Sequence, residues 1–272
     1  MILGGNMYNE KDIIAQWNAD MYDLNETNMD DVVFALTLIG TKPKKILEIA
    51  CGSGRFLIPM AKAGHTVTGL DFDEYMLGKI TDKIANENIN EINDGRIKWH
   101  KADVICDNWG TGFDVVILGA NFLYNIVSDM NYEQAQKLMI QKSSDALTVG
   151  GHIFVDCGYT QYPEKWFQNP DANIVWEGTD SHGNFGKMIL LNSVYDTEGR
   201  INRFIRRFEM ILTDGSTLVQ EIPSKKHFAA LEQIHKWLAE SGFVIEQECG
   251  DYQGHLISEI TNRAIIWARK VR

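Results

Sequence analysis

The chain has 272 residues, 44% hydrophobic and 23% charged, with 26 Lys and Arg against 37 Asp and Glu and a net charge of −11. That length suits one large domain, or one domain with a sizeable insertion, and buries a core without disulfide or metal staples. The acidity disfavours a nucleic-acid binder, which needs a basic face, and the basic residues are scattered apart from Arg203, Arg206 and Arg207.

Tyr8 to Tyr22 reads as a helix with Ile13, Ile14, Trp17 and Met21 on one side, and a second helix follows Asn28. A short apolar strand from Lys45 then runs into the glycine-rich turn holding Gly52 and Gly54, followed by a helix over Arg55 to Ala63. Val67 to Leu70 is a second strand ending at Asp71, and Glu74 to Asn88 a helix. Ile97 to Lys101 and Phe113 to Leu118 are strands, Tyr132 to Leu147 is a helix stopped by Gly150 and Gly151, and His152 to Cys157 is a fifth strand. Such alternation implies parallel strands joined by right-handed crossovers. It then stops. Lys187–Asp196, Ile201–Leu212 and Thr217–Pro223 read as strands separated by turns, an antiparallel insert. A helix over His227 to Ser241 and strands Phe243–Glu248 and Arg263–Lys270 complete the pattern, the last two too closely connected to be parallel.

The richest chemistry lies where the first strand meets the first helix of the alternating part. Glu48 precedes Ala50, Gly52 and Gly54, Arg55 follows, and Asp71 closes the next strand. Small residues let the backbone approach a ligand, and the helix start offers free N–H groups. A dinucleotide fingerprint would place a third glycine at position 57, which is Leu. That disfavours a nicotinamide-dependent oxidoreductase. Glu48 instead suits a cation.

In these residues the chain resembles the class I S-adenosylmethionine (SAM)-dependent methyltransferases, well over about residues 8–160 and more loosely over 227–270. The resemblance implies an α/β fold: a Rossmann-like, mostly parallel seven-stranded sheet of order 3-2-1-4-5-7-6, with the antiparallel insert after strand five. It implies SAM as cofactor, held by Glu48, Ala50, Gly52, Gly54 and Arg55, by Asp71 at the ribose, by Phe72 and Met76 beside the adenine, by Asp103 and Val104 after strand three, and by Leu118 near the reactive methyl. Tyr22 is expected on a helical flap over residues 8–40. The closest likeness is to glycine and amino-sugar N-methyltransferases, through Gly119, Asn121 and Phe122 and through Gly150 to Asp156. Gly158 stands where the glycine enzymes carry a substrate-gripping arginine, which argues against glycine as acceptor.

The methyltransferase domain is expected over residues 1–160 and 227–272, with residues 161–226 forming a β lid over the acceptor site. Asn121, Tyr124 and Tyr159 are the candidate catalytic residues; Asp156 ends the same strand region. Arg206 and His227 are the candidate acceptor contacts, Arg206 because it shares its strand face with Phe204, Phe208, Met210 and Leu212. No His–acid dyad is evident in the sequence, which favours a nitrogen acceptor over an oxygen. O-methylation and a non-catalytic SAM-binding module are the alternatives. Expected partners are a small-molecule acceptor and, as an option, a second copy of the chain, with no nucleic acid, membrane or metal. Cys51, Cys106, Cys157 and Cys249 stand at no metal-ligand spacing, Met1 to Asn6 lacks the pattern of a signal peptide, and no apolar run approaches the ~18 residues of a membrane span. A cytoplasmic protein with reduced thiols is therefore expected.

Overall fold

The computed structural model describes residues 10–86, 95–167 and 171–272. Tyr8 and Asn9 of the first expected helix, Glu87 and Asn88 of the fourth, and Met1 to Asn6 at the start of the chain lie outside the described residues. The chain divides into two compact units.

The larger unit holds residues 28–166, 196–201 and 226–272. Its strands are β1 (Lys45–Ile49), β2 (Thr66–Asp71), β3 (Ile97–Lys101), β4 (Phe113–Leu118), β5 (Leu147–Gly158), β10 (Phe243–Cys249) and β11 (Arg263–Lys270). They form one sheet in the order β3-β2-β1-β4-β5-β11-β10, the order expected from the resemblance. β11 runs antiparallel to both β5 and β10, while the other neighbouring pairs are parallel. The central strands are buried along their length because helices cover both faces. One core packs α5 (Tyr132–Ala146) and α7 (Leu231–Glu240) against the sheet. The other packs α2 (Asp30–Ile39), α3 (Leu57–Lys62) and α4 (Glu74–Asn86). Asn131 caps α5 by accepting the N–H groups of Glu133 and Gln134.

The smaller unit holds residues 10–27, 167–195 and 202–225. Its strands β6 (Asn173–Thr179), β7 (Phe185–Asp196), β8 (Ile201–Ile211) and β9 (Thr217–His227) form a sheet in chain order. Helix α1 (Glu10–Asn25) supplies its core: Ile14, Trp17 and Met21 pack with Met188, Phe208, Met210 and Leu218. The Trp17 indole N–H donates to the Gly178 carbonyl at 3.0 Å. A Cβ on Gly186 would lie 2.7 Å from the Trp17 ring, so only glycine lets the helix sit this close. A four-residue helix, α6 (Pro163–Trp166), precedes this sheet.

Several boundaries depart from the sequence expectation. α5 ends at Ala146, because Leu147 turns extended and pairs with Phe113; the ladder then bulges before Val115 meets His152, with Gly150 at φ 87°. β9 extends through His227, so the last helix begins at Leu231 rather than His227. β6, absent from the sequence reading, carries no clean alternation of burial.

Candidate functional site

The ends of β1 and β2 bring the glycine turn and Asp71 together. The chain leaves β1 through three left-handed residues, Ala50 (φ 57°), Gly52 (φ 52°) and Gly54 (φ 84°). For Ala50 that conformation is costly, and strain of this kind clusters where a backbone meets a ligand. Asp71 holds the turn in place: one carboxylate oxygen accepts the Gly52 N–H at 2.8 Å, the other the Asp73 N–H at 2.9 Å. Burial raises its pKa, and these backbone hydrogen bonds oppose the rise. Met76 lies beside Gly52, its Cε 3.0 Å from where a Cβ would stand, and Phe72 projects into solvent.

Beneath the turn, Glu48 is fully enclosed. The Leu57 N–H donates to its carboxylate, yet Oε2 has no hydrogen-bond partner. Burial pushes its pKa well up, Arg55 draws it back, and Asp71 and Asp31 add to the rise. Arg55 itself forms a bidentate pair with Asp31, at 2.6 and 2.5 Å, and donates to the Asn28 carbonyl. It therefore ties the start of α2 to the turn. After β3, Asp103 is exposed and accepts the Ile105 N–H, while the Val104 carbonyl receives Trp109 Nε1 and Lys142 Nζ.

At the ends of β4 and β5, Leu118 is buried, and Ala120 and Asn121 are both left-handed. The Asn121 side-chain oxygen accepts the Gly158 N–H at 2.5 Å, and its own N–H donates to the Asp156 carbonyl, stitching the two strand ends together. Tyr124 is buried, tilted against Phe228 with ring centres 4.8 Å apart, and hydrogen-bonded to Cys157, whose thiol burial pushes up to about 12. Tyr159 is half-buried against the core, with its pKa raised by burial. Asp156, fully buried, accepts Arg263 at 2.6 Å and the Tyr252 hydroxyl at 3.0 Å. Register explains the arginine: Arg263 pairs with Gly158 across β5 and β11.

His227 is 3% exposed and its ring is committed. Gln136 Nε2 donates to the Leu123 and His227 carbonyls, so Gln136 Oε1 is the acceptor and His227 Nδ1 carries the proton, at 2.7 Å. Burial lowers its pKa and keeps the ring neutral. Through Gln136, which also holds the Leu123 carbonyl, it is tied to the helical turn Phe122–Tyr124. The β10–β11 connection holds a pair that spacing alone did not suggest: His255 Nδ1 lies 2.7 Å from Asp251, four residues away and exposed.

Thus Glu48, Ala50, Gly52, Gly54, Arg55, Asp71 and Met76 converge at the ends of β1 and β2, with Phe72 outward. Asp103 and Val104 follow β3; Leu118 ends β4, Asn121 and Tyr124 follow it, and Tyr159 follows β5. Tyr22 and Arg206 belong to the smaller unit, Tyr22 edge-on to Trp176 at 6.2 Å. Sequence reasoning missed Asp31, Gln136, Lys142, Tyr252 and Arg263. Only Arg263 left a signal, as a charge opening an apolar strand.

Residues 46–150 match the family described as a methyltransferase domain. A protein of Geobacillus sp. (strain WCH70), named as a methyltransferase, is 22% identical over 236 residues, 84% of this chain and 85% of that one. A SAM-dependent methyltransferase from Clostridium acetobutylicum ATCC 824 has a similar fold (TM-score 0.68, 15% identity), covering 96% of this chain and 99% of that one. So does a sugar N-methyltransferase from Streptoalloteichus sp ATCC 53650 (TM-score 0.65, 14% identity), with 99% and 96% covered. Residues 46–150 thus carry a methyltransferase domain, for which SAM is the cofactor to test against the site. Its residues fit that cofactor: the buried Glu48 carboxylate has an unused oxygen beside a turn whose Gly52 and Gly54 leave its backbone open, and SAM brings an ammonium and a sulfonium cation.

Proposed function

We propose that this enzyme methylates a small polar molecule at nitrogen. SAM supplies an electrophilic methyl; the protein's task is to bind, align and exclude water. Glu48 would meet the cofactor's ammonium and Asp71 its ribose hydroxyls. Gly52 and Gly54 keep the approach open, and Leu118 lines the reacting end. Asn121, Tyr124 and Tyr159 stand nearest the acceptor in this reading.

The observation that carries the nitrogen reading is the state of the protonatable groups at the ends of β4 and β5. Burial raises the Asp156 pKa, but Arg263 and Tyr252 already occupy its carboxylate; Tyr124 is bound by Cys157, and burial raises the Tyr159 pKa. None is poised as a strong base near neutral pH. A neutral amine needs orientation more than deprotonation, whereas a hydroxyl needs a base. One feature favours a hydroxyl acceptor: the His255–Asp251 pair. Its His255 side chain is 76% exposed, a poor setting for a base that must work away from water. Turnover of a metabolite panel with SAM, read by mass spectrometry, tests the proposal. N-methylated products, with turnover kept in H255Q, are expected. O-methylated products whose formation H255Q abolishes would overturn it.

A further inference from the structure

β8 places Asn202, Phe204, Arg206, Phe208 and Met210 on one face by its two-residue alternation. Phe208 and Met210 lie in the core that α1 covers, with Phe208 edge-on to Trp17 at 6.3 Å. Arg206 stands two residues earlier on the same face, about 7 Å along the strand. Its Nε donates to Ser224 Oγ at 3.0 Å, and that hydroxyl gives its own proton to the Ile222 carbonyl at 3.1 Å. One of five guanidinium N–H donors is used. No carboxylate among the described residues pairs with Arg206, and burial alone lowers its pKa. Next in sequence, Arg207 on the opposite face is paired with both Glu209 and Glu221. A half-buried cation without an acid is costly, and it is conspicuous in a chain with 37 acidic residues.

We propose that Arg206, oriented by Ser224, is an anion-binding site on the insert that takes the carboxylate or phosphate group of a small molecule. Ser224 holds Nε, which leaves the two terminal nitrogens as a planar fork suited to such a group.

The test uses inorganic phosphate and acetate as probes, at constant ionic strength. Thermal unfolding is followed for the wild type, R206M, R206K and S224A, and SAM affinity is measured by calorimetry in each. Phosphate or acetate should stabilise the wild type saturably. Affinity for the effective anion should fall at least about tenfold in R206M, the loss of a charge-assisted pair, and by less in R206K and S224A. The anion that works names the acidic group. An equal response in wild type and variants, or none in the wild type, overturns the proposal. S224A keeps the test open if R206M fails to fold. Failure of the anion arm with SAM binding intact counts against Arg206 alone, whereas a wild type that does not bind SAM counts against the methyltransferase reading.

Discussion

In the sheet unit a buried acid, Glu48, keeps one carboxylate oxygen without a hydrogen-bond partner; in the insert unit a half-buried cation, Arg206, pairs with no carboxylate among the described residues. Other buried acids among the described residues have partners. Asp156 has Arg263 and Tyr252, Asp31 has Arg55, and in the insert Asp180 accepts the N–H groups of His182 and Asn184. Folding alone satisfies those groups. These two groups carry the two proposals: a cationic cofactor beside the glycine turn and an anionic group on the insert.

The largest expected effect breaks the acidic side of this comparison. In Gly54→Val the new side chain is forced into a left-handed conformation at φ 84°, with its Cβ 3.1 Å from Ile80 and 3.4 Å from Ile58. SAM binding should vanish by calorimetry while circular dichroism shows a folded protein. Normal binding would remove the glycine turn from the cofactor site.

Trp17→Ala tests the insert as a unit of its own. Truncating a fully buried Trp costs about 3–5 kcal/mol. Hydrogen exchange should quicken in β6–β9 while β1–β5 keep their protection. Uniform loss across both sheets would mean that α1 stabilises more than the insert.

Asp71→Ala should weaken SAM binding by roughly 1.5–3 kcal/mol. It should also lower Tm modestly, because the Gly52 N–H loses its acceptor. Unchanged affinity would confine Asp71 to holding the turn.

Glu48→Gln has a smaller effect and sharpens the comparison through its sign. The folded-state pKa of Glu48 is raised, so the folded protein holds this proton more tightly than the unfolded chain. Stability is lost as pH rises from the ordinary value of 4.5 towards the raised one. Gln removes that penalty. The cofactor-free variant should melt higher than wild type at pH 7–8 and lose less stability between pH 5 and 8, yet bind SAM more weakly. A variant that melts lower at neutral pH would show that the ionised carboxylate is already satisfied.

Much of the sheet unit was legible because its chemistry is local. Apolar runs bounded by Gly52, Gly64 and Asp71 fix strands and turns from near neighbours, and β3, β4 and β11 match their expected bounds. What stayed hidden depends on contacts between residues distant in sequence. Arg263 reaches Asp156 across 107 positions and Gln136 joins His227 across 91, and no spacing rule reports such pairs. The bulge at Gly150 hid the start of β5 behind what reads as a helix stop. β6 lacks an alternating face and was missed, whereas Arg206 was visible because β8 alternates clearly.

The most direct test of the central claim is a calorimetric titration of wild type, Glu48→Gln and Gly54→Val with SAM, and of wild type with NAD. Saturable one-to-one SAM binding in wild type, weaker binding in Glu48→Gln, none in Gly54→Val and no response to NAD are expected. NAD binding, or SAM binding indifferent to both substitutions, would contradict the account.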